Sequence, residues 1–170
     1  MASMHVRDAE RRDLPAVVDI YNELLHATTS IWRETAQTLE ERQEWFEAQE
    51  RRGFPALVAV ADDEVVGVAA FGDFRDSLRW PGYRHTVEHS VHVASDRWGS
   101  GVGRALMDAL FDRARALDVH AMIGGIDDAN GRSLDFHARL GFREVARMPE
   151  VGWKHGRWCN LVFVQRFVDR

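Results

Sequence analysis

The stretch TVEHSVHVASDRWGSGVGRAL, residues 86–106, decides how this chain folds. Its first eight residues alternate as a strand does, with two sets of side chains on opposite faces: Val87, His89, Val91 and Val93, and Glu88, Ser90 and His92. Alternate glycines from Gly99 to Gly103 follow, and apolar residues then recur at helical spacing from Leu106. With the apolar run Ala121 to Ile126 behind it, the stretch predicts a β-α-β unit around a glycine-rich turn.

Two helices are predicted before this stretch. A short strand at His5 to Ala9 leads into the first helix, for which Asp13 is the predicted N-cap. Thr38 and Glu41 have the T-x-x-E spacing of a capping box, which predicts the start of a second helix that ends at Gly53.

Further strands are predicted on both sides of the β-α-β unit. They are Ala56 to Ala61 and Val65 to Phe71, joined as a hairpin by Asp62-Asp63-Glu64, and Phe142 to Arg147 and Trp158 to Phe167 near the end. Asn130 is the predicted N-cap of a last helix that closes at Gly141. The sum is an α+β fold, a sheet with helices on its faces, in a single domain of residues 1–170.

The composition is that of an ordinary globular protein. Apolar residues make up 45% and charged residues 29%, which excludes disordered, collagen-like and coiled-coil chains. A net charge of −5 provides no basic surface for nucleic acid or an anionic membrane. No apolar run reaches about 18 residues, and the polar start MASMHVRDAERRD does not resemble a signal peptide. One cysteine, Cys159, excludes an internal disulfide, and the chain is expected in the cytoplasm.

The glycine loop has the features of an anion site, because glycine lets the backbone approach a ligand and a helix N-terminus attracts phosphate. A Walker A loop is excluded, since Arg104 and Ala105 follow Gly103 in place of lysine and a hydroxyl residue. A dinucleotide fingerprint would need glycine at position 104. The remaining pattern, G-x-G-x-G after a V-x-V strand, is similar to the pyrophosphate loop of the GCN5-related N-acetyltransferases (GNAT). The alternative is a flexible turn without a ligand.

Several other motifs resemble one branch of that family, the phosphinothricin and methionine sulfoximine acetyltransferases. They are Thr28-Thr29-Ser30-Ile31-Trp32, residues 86–93, the glycine loop, Asn130, FHARLGF at 136–142 and MPEVGWKHGRW at 148–158. These motifs run in order through nearly the whole chain. The resemblance implies a GNAT fold, with a central, mostly antiparallel twisted sheet of about seven strands and helices on both faces.

The resemblance also implies acetyl-CoA as co-substrate. In that family the sheet opens beside the strand equivalent to residues 88–93, and the pantetheine arm pairs with its backbone. The implied coenzyme contacts are Val91, His92, Val93, Gly99, Ser100, Gly101, Val102, Gly103, Arg104 and Asn130. Trp98 departs from the family, which usually carries Arg or Gln there. Since backbone N–H groups hold the phosphates, we expect altered binding and not its loss.

Acetyl transfer to an amine needs a base, because the ammonium form dominates near neutral pH. Glu88, on the polar face of the predicted strand, is the predicted base, acting directly or through water; the alternative is an ordinary solvated carboxylate. His137 is predicted either to protonate the leaving thiolate or to pack on the coenzyme or core. A strand N–H near Val91 is the predicted oxyanion donor.

Arg75 lies on a loop close to the predicted strand end, where its guanidinium fork could hold the carboxylate of an amino-acid-like acceptor. The resemblance surrounds the acceptor with Ile31, Trp32, Arg75, Asp76, Ser77, Glu88, His89 and Ser90. For the tryptophans Trp32, Trp153 and Trp158, core or dimer packing is the alternative role. We predict no metal, because His89 and His92 face opposite sides of one strand and no H-E-x-x-H occurs.

The leading hypothesis is therefore an acetyl-CoA-dependent N-acetyltransferase. Its acceptor is the α-amine of a small amino-acid analogue such as methionine sulfoximine, methionine sulfone or phosphinothricin, attacked without an acyl-enzyme. The alternatives are transfer to a protein N-terminus or a polyamine, and a non-catalytic acyl-CoA-binding module. The resemblance further implies a homodimer.

Overall fold

A sheet of seven strands forms the centre of the computed structural model, which describes residues 4–169. The strands are β1 (His5–Asp8), β2 (Ala56–Ala61), β3 (Glu64–Asp73), β4 (Thr86–Val93), β5 (Ala121–Asp127), β6 (Arg143–Lys154) and β7 (Arg157–Phe167). The helices are α1 (Leu14–Ala27), α2 (Leu39–Arg52), α3 (Val102–Ala116) and α4 (Gly131–Arg139). The strand order is β1-β2-β3-β4-β5-β7-β6, and only β4 and β5 are parallel neighbours in the described sheet. The predicted mixed, mostly antiparallel sheet is confirmed.

The predicted β-α-β unit is the middle of this sheet. β4, α3 and β5 follow one another, and the crossover through α3 makes the two strands parallel. The predicted hairpin precedes the unit, with Asp62 and Asp63 at φ 52° and 63° in the turn between β2 and β3. Two residues with positive φ are typical of the turn whose twist matches that of paired strands.

The three predicted N-cap residues all occupy N-cap positions, and two of them form the side-chain cap bond. The Glu41 N–H donates to Thr38 Oγ1 at 3.1 Å and the Thr38 N–H donates to Glu41 Oε2 at 2.8 Å, which completes the capping box of α2. The Ser133 N–H donates to Asn130 Oδ1 at 3.2 Å at the start of α4. Gly53 ends α2 in the left-handed conformation, at φ 66°.

Asp13 occupies the predicted N-cap position of α1, but its side chain makes no cap bond to the helix. The buried carboxylate accepts instead from the Glu10 N–H at 2.7 Å and from Arg7 Nη1 at 2.6 Å. These contacts close a 3-10 turn, Arg11–Asp13, just before α1. A cation from β1 therefore competes successfully for the side chain that the local pattern assigned to the helix.

The helices cover both faces of the sheet. On one face Leu106 of α3 packs in a core with Val87, against which Val91 and Val93 also lie. On the other face Val17 of α1 packs against Val68 of β3. Because side chains alternate along β4, this central strand directs His89 toward α3 and α4, and Glu88, Ser90 and His92 toward α1 and α2.

The last hairpin is longer than predicted, since β6 continues past Arg147 to Lys154. A register shift between Met148 and Gly152 interrupts the alternation there, which hides the strand from a pattern with period two. The hairpin leaves five large apolar side chains exposed on the sheet edge: Val145, Met148, Val151, Trp153 and Trp158.

Candidate functional site

The central sheet opens between β4 and β5. The two strands pair only from Thr86–Ala121 to Glu88–Ile123. Beyond that point β4 follows β3 as far as Val93, whereas β5 follows β7. The sheet therefore contains an internal gap that begins beside Glu88.

The backbone of β4 supplies hydrogen-bonding groups to this gap. Bonds from Ala94 N to Val66 O at 3.0 Å and from Phe74 N to Thr86 O at 3.4 Å show that the even-numbered residues of β4 bond to β3. In an antiparallel ladder the intervening residues point their N–H and C=O the other way. The backbone groups of Val91 thus point into the gap, where an extended ligand could pair with them as an added strand.

A cleft of about 430 Å³ lies at this gap. Its walls come from α1, the loop before α2, α2 itself, β4, β5 and α4. They consist of Tyr21, Ser30, Ile31, Gln37, Arg42, Trp45, Glu88, His89, Ser90, Val91, His92, Gly124, Gly125, Ile126, Asp127, Asn130, Ser133 and His137. Some predicted residues of each kind therefore line one cleft: Val91, His92 and Asn130 for the coenzyme, and Glu88 and His137 for catalysis. Val93 and the glycine loop, residues 99–104, lie outside this lining.

Glu88 carries an unpaired carboxylate in this cleft. It forms no hydrogen bond or ion pair with any residue in the described part of the chain. It lies over Gly125, where a Cβ would stand 3.4 Å from Glu88 Oε1. Partial desolvation by the cleft walls raises the pKa of the Glu88 carboxyl above its ordinary value, although the side chain keeps access to solvent. An unpaired carboxylate with a raised pKa is suited to accept a proton.

His89 and His137 form a buried pair on the opposite face of β4. Their Nε2 atoms are 2.9 Å apart, His89 Nδ1 donates to Ile123 O at 2.9 Å, and His137 Nδ1 is 2.7 Å from Ser133 O. Burial lowers the pKa of both rings, which favours the neutral pair. The Ser133 hydroxyl, 3.4 Å from His137 Nδ1, can then donate to it while His137 Nε2 donates to His89. The pair can also hold one further proton on His137 Nδ1, which then donates to the Ser133 carbonyl and no longer accepts from the Ser133 hydroxyl.

The glycine loop has the backbone geometry of an anion site. Gly99 and Gly101 are left-handed at φ 78° and 91°, and a Cβ on either would meet no atom within 4 Å. The first helical hydrogen bond of α3 runs from the Ala105 N–H to the Gly101 carbonyl oxygen, at 3.0 Å. The N–H groups of the preceding turn are thus available at the positive end of a 15-residue helix. Arg104 forms an ion pair with Asp108 at 2.9 Å beside them.

Trp98 connects this loop with the gap. Its indole Nε1 donates to the carbonyl of Val93 at 2.9 Å, and the guanidinium of Arg132 lies 4.5 Å from its ring centroid. The departure from the family pattern therefore places an aromatic ring between β4 and the start of α4.

The predicted acceptor residues separate into two groups. Ile31, Glu88, His89 and Ser90 line the cleft. Trp32 lies behind it, where its Nε1 donates to Asp127 Oδ2 at 2.9 Å and its ring covers Gly152.

The second group is the loop after β3. Arg75, Asp76 and Ser77 are absent from the described cleft lining. The Arg75 guanidinium lies 5.9 Å from the Phe74 ring centroid and 5.6 Å from that of Tyr83. Asp76 accepts from the Leu78 N–H at 3.1 Å, and Ser77 contacts Arg52 at 3.0 Å.

Several cleft residues were not predicted. Gly124 and Gly125 are adjacent in β5, and glycine inside a strand pattern is a usable signal of close approach. Arg42, with Tyr21 and Trp45 around its guanidinium, had no such signal, because a charged residue in a polar helix ordinarily faces solvent.

Two negative findings concern residues 4–169. No helix in that range is both long and apolar enough to span a membrane. No group of three or more His, Cys, Asp or Glu side chains in the same range could hold a metal ion.

The opened sheet, the helix-capping glycine loop and the unpaired carboxylate are features of proteins that hold a diphosphate coenzyme in extended form for group transfer. Comparison with known proteins identifies the class: the chain belongs to the acetyltransferase (GNAT) family, whose model matches residues 17–142.

Curated relatives match over almost the full chain. The L-methionine sulfoximine/L-methionine sulfone acetyltransferase of Pseudomonas aeruginosa is 46% identical, with 98% of this chain and 96% of the relative covered. The L-amino acid N-acyltransferase of Escherichia coli is 43% identical, with 98% and 95% covered. The phosphinothricin N-acetyltransferase of Streptomyces coelicolor is 34% identical, with 97% and 96% covered.

Solved structures share the fold. A putative acetyltransferase from Salmonella typhimurium, with its cofactor acetyl-CoA, has a TM-score of 0.91 at 40% identity and covers 98% of this chain and 95% of its own. A ribosomal-protein-alanine N-acetyltransferase from Brucella melitensis has a TM-score of 0.91 at 43% identity, with 96% and 99% covered.

Proposed function

We propose that this acetyltransferase moves the acetyl group of acetyl-CoA to the α-amine of a small amino-acid analogue, of the methionine sulfoximine, methionine sulfone or phosphinothricin type. The observation that carries the proposal is the unpaired carboxylate of Glu88, placed where the sheet opens between β4 and β5. The names of the relatives from Pseudomonas aeruginosa and Streptomyces coelicolor support the acceptor class.

The residues present fit acetyl-CoA. The Val91 carbonyl, in the gap, would accept from the pantetheine arm, which leaves the Val91 N–H for the reacting carbonyl, and the strand residues His92 and Val93 flank it. Gly99 to Arg104 would hold the diphosphate, because the first-turn N–H groups of α3 have no helical acceptor and no side chain crowds Gly99 or Gly101. Asn130, which lines the cleft, is the remaining proposed coenzyme contact. The thioester supplies the acetyl group.

In the proposed mechanism Glu88 removes a proton from the acceptor ammonium, directly or through water. The neutral nitrogen then forms a bond to the thioester carbonyl carbon. As the carbon–sulfur bond breaks, the nitrogen gives up its second proton and the leaving thiolate takes one up, so the net reaction releases the single proton held by Glu88. The Val91 N–H, which points into the gap, is the proposed donor to the developing oxyanion. No acyl-enzyme is required.

His137 is the proposed source of the proton for the leaving thiolate. The neutral pair has room for one further proton, because His137 Nδ1 can turn from accepting the Ser133 hydroxyl to donating to the Ser133 carbonyl at fixed ring positions. His137 would therefore receive the proton that the nitrogen gives up and pass it to the thiolate. Packing alone remains the competing role. His137→Phe should lower kcat if the proton matters, and an unchanged kcat would leave only packing.

Substitution of the base tests the proposal. Glu88→Gln should lower kcat by about 10²- to 10⁴-fold near neutral pH and remove the acidic limb of the pH profile. The assay is thiol release from acetyl-CoA with methionine sulfone as acceptor. Glu64→Gln, on an exposed carboxylate at the start of β3, is the control and should leave kcat unchanged. An unaltered rate and pH profile in Glu88→Gln would contradict the proposed base.

A second acceptor class has one observation in its favour: the relative from Brucella melitensis is named a ribosomal-protein-alanine N-acetyltransferase. A panel of methionine sulfone, phosphinothricin, polyamines and N-terminal peptides separates the classes. Faster release with peptides than with free amino acids would replace the proposed acceptor. Coenzyme binding without thiol release from any acceptor would indicate a non-catalytic acyl-CoA-binding module.

We also propose a homodimer in the cytoplasm, built from one domain per chain of residues 1–170. The exposed apolar edge formed by Val145, Met148, Val151, Trp153 and Trp158 supports the dimer, because such patches mark interaction sites. Light scattering of the wild type and of Trp158→Ser should show loss of the dimer in the variant. A monomeric wild type would contradict the proposal.

A further inference from the structure

Arg42 of α2 is a buried cation without an anionic partner. Its side chain is 7% exposed, it lines the cleft, and it forms no ion pair with a carboxylate anywhere in residues 4–169. A buried charge ordinarily has a partner, because its desolvation is costly unless hydrogen bonds and an opposite charge compensate it.

The guanidinium is held in place from three directions. The ring centroids of Tyr21 and Trp45 lie 4.9 Å and 4.7 Å from its central carbon, and Arg42 Nε donates to Gln37 Oε1 at 2.7 Å. Gln37 is itself anchored to Asn22, since its N–H donates to Asn22 Oδ1 at 2.7 Å and its carbonyl accepts from Asn22 Nδ2 at 2.9 Å. The fork of the guanidinium is therefore preorganised.

The two terminal nitrogens of this fork have no acceptor among the described residues. They are also not sealed from solvent, because the described part of the chain contains no fully buried side-chain nitrogen without a partner. Since Arg42 is 7% exposed and lines the cleft, the cleft is the open space that these nitrogens can reach. Two parallel N–H donors at fixed geometry match a carboxylate in bidentate fashion.

The charges of the cleft complement an amino acid. Arg42 is the single Arg or Lys among its described lining residues. The carboxylate of Asp127 is already satisfied by Trp32 Nε1 and the Ala129 N–H, each at 2.9 Å. Glu88, by contrast, is unpaired. The cleft thus offers one unpaired cation and one unpaired anion, as the ammonium and carboxylate of an α-amino acid require.

We propose that Arg42 binds the carboxylate of the acceptor while Glu88 faces its amine. This inference rests on the proposed function and deepens it by naming the group that selects free amino acids. Arg75, the other arginine considered for this contact, is exposed and lies outside the described cleft lining.

A pair of acceptors isolates the contact. Methionine sulfone and methionine sulfone amide differ at the carboxylate, so the ratio of their kcat/KM values in the wild type, divided by the same ratio in a variant, measures recognition of that group. This double ratio cancels the different basicity of the two amines. In Arg42→Gln it should be about 10²- to 10³-fold, with a smaller change in Arg42→Lys. In Arg75→Gln it should stay near one.

Three results would overturn the inference: a double ratio near one in Arg42→Gln, a collapse of the preference in Arg75→Gln instead, or a rise confined to the KM for acetyl-CoA. Circular dichroism verifies folding, and Arg42→Lys provides the test if Arg42→Gln does not fold.

Calorimetric titration of methionine sulfone into protein saturated with CoA separates this inference from the proposed function. Wild-type binding that is lost in Arg42→Gln supports the carboxylate contact even if no acetyl transfer occurs. If the wild type acetylates methionine sulfone and Arg42→Gln binds it as tightly as the wild type does, the carboxylate contact is refuted and the proposed function stands. If the wild type neither binds nor acetylates any free amino acid, both fail.

Discussion

Gly124→Ala tests whether the close packing of His89 on β5 leaves no room for a side chain at position 124. A Cβ at this position would lie 2.8 Å from His89 Cε1 and 3.2 Å from Val164 Cγ2. Neither neighbour can easily move away. His89 is fixed by its bonds to Ile123 O and His137, both at 2.9 Å, and Val164 is buried in the core.

The magnitude follows from two opposing effects. Overpacking of a tight core costs about 1–3 kcal/mol. Replacing glycine by alanine returns about 0.5–1 kcal/mol through the smaller entropy of the unfolded chain. The two ranges combine to a net loss in the free energy of unfolding of about 0–2.5 kcal/mol, centred near about 1 kcal/mol. A loss of about 1 kcal/mol lowers Tm by about 2–4 °C in a chain of this size.

Thermal unfolding followed by circular dichroism measures this loss. Gly82→Ala is the matched control, because a Cβ there would meet no atom within 4 Å and its φ is not positive. Its Tm should be unchanged or slightly higher. A Gly124→Ala variant that unfolds at or above the wild-type Tm would refute the packing argument.

Three further changes address the helix cap, the base and the loop. Thr38→Ala should lower the free energy of unfolding by about 1 kcal/mol in urea without changing kcat, and an unchanged midpoint would contradict the cap. Burial raises the pKa of Glu88, so the folded protein holds this proton more tightly than the unfolded chain does. The protonated carboxyl therefore adds to the free energy of unfolding below the ordinary carboxyl pKa, and this contribution is lost as pH rises through the raised pKa. Glu88→Gln should thus raise Tm near pH 8 but not near pH 4, and equal shifts would contradict this linkage. Trp98→Phe frees the Val93 carbonyl and should lower the KM for acetyl-CoA about 2- to 10-fold, whereas a higher KM would show that the indole assists binding.

Local signals predicted most of the fold, because helix caps and hairpin turns depend on residues within a few positions of one another. The box of Thr38 and Glu41 and the cap of Asn130 formed as expected. Asp13 holds its predicted N-cap position without a cap bond, because Arg7 from another element takes its carboxylate. The capping pattern considers only residues next to the helix start, so it cannot predict this contact with an arginine of β1.

The same distinction applies to the candidate site. Glu88 and the glycine loop lie in one contiguous stretch, so their relation to a strand and a helix start was visible in the sequence. The position of Arg42 depends instead on how α2 packs against α1, which brings Tyr21 to its guanidinium. In the sequence it is one more charge in a polar helix, and only the packed structure shows that it is buried and unpaired.

The parting of β4 from β5 connects these observations. Amide formation needs a base at the nitrogen, a donor at the oxyanion and a proton for the thiolate, and these groups must approach from different directions. In the proposed mechanism one strand organises all three groups because one of its edges is open: Glu88 projects from one face, His89 packs against His137 of α4 on the other, and the Val91 N–H lies at the edge itself. A fully paired sheet would consume that N–H, so the site depends on the strands separating directly beyond Glu88.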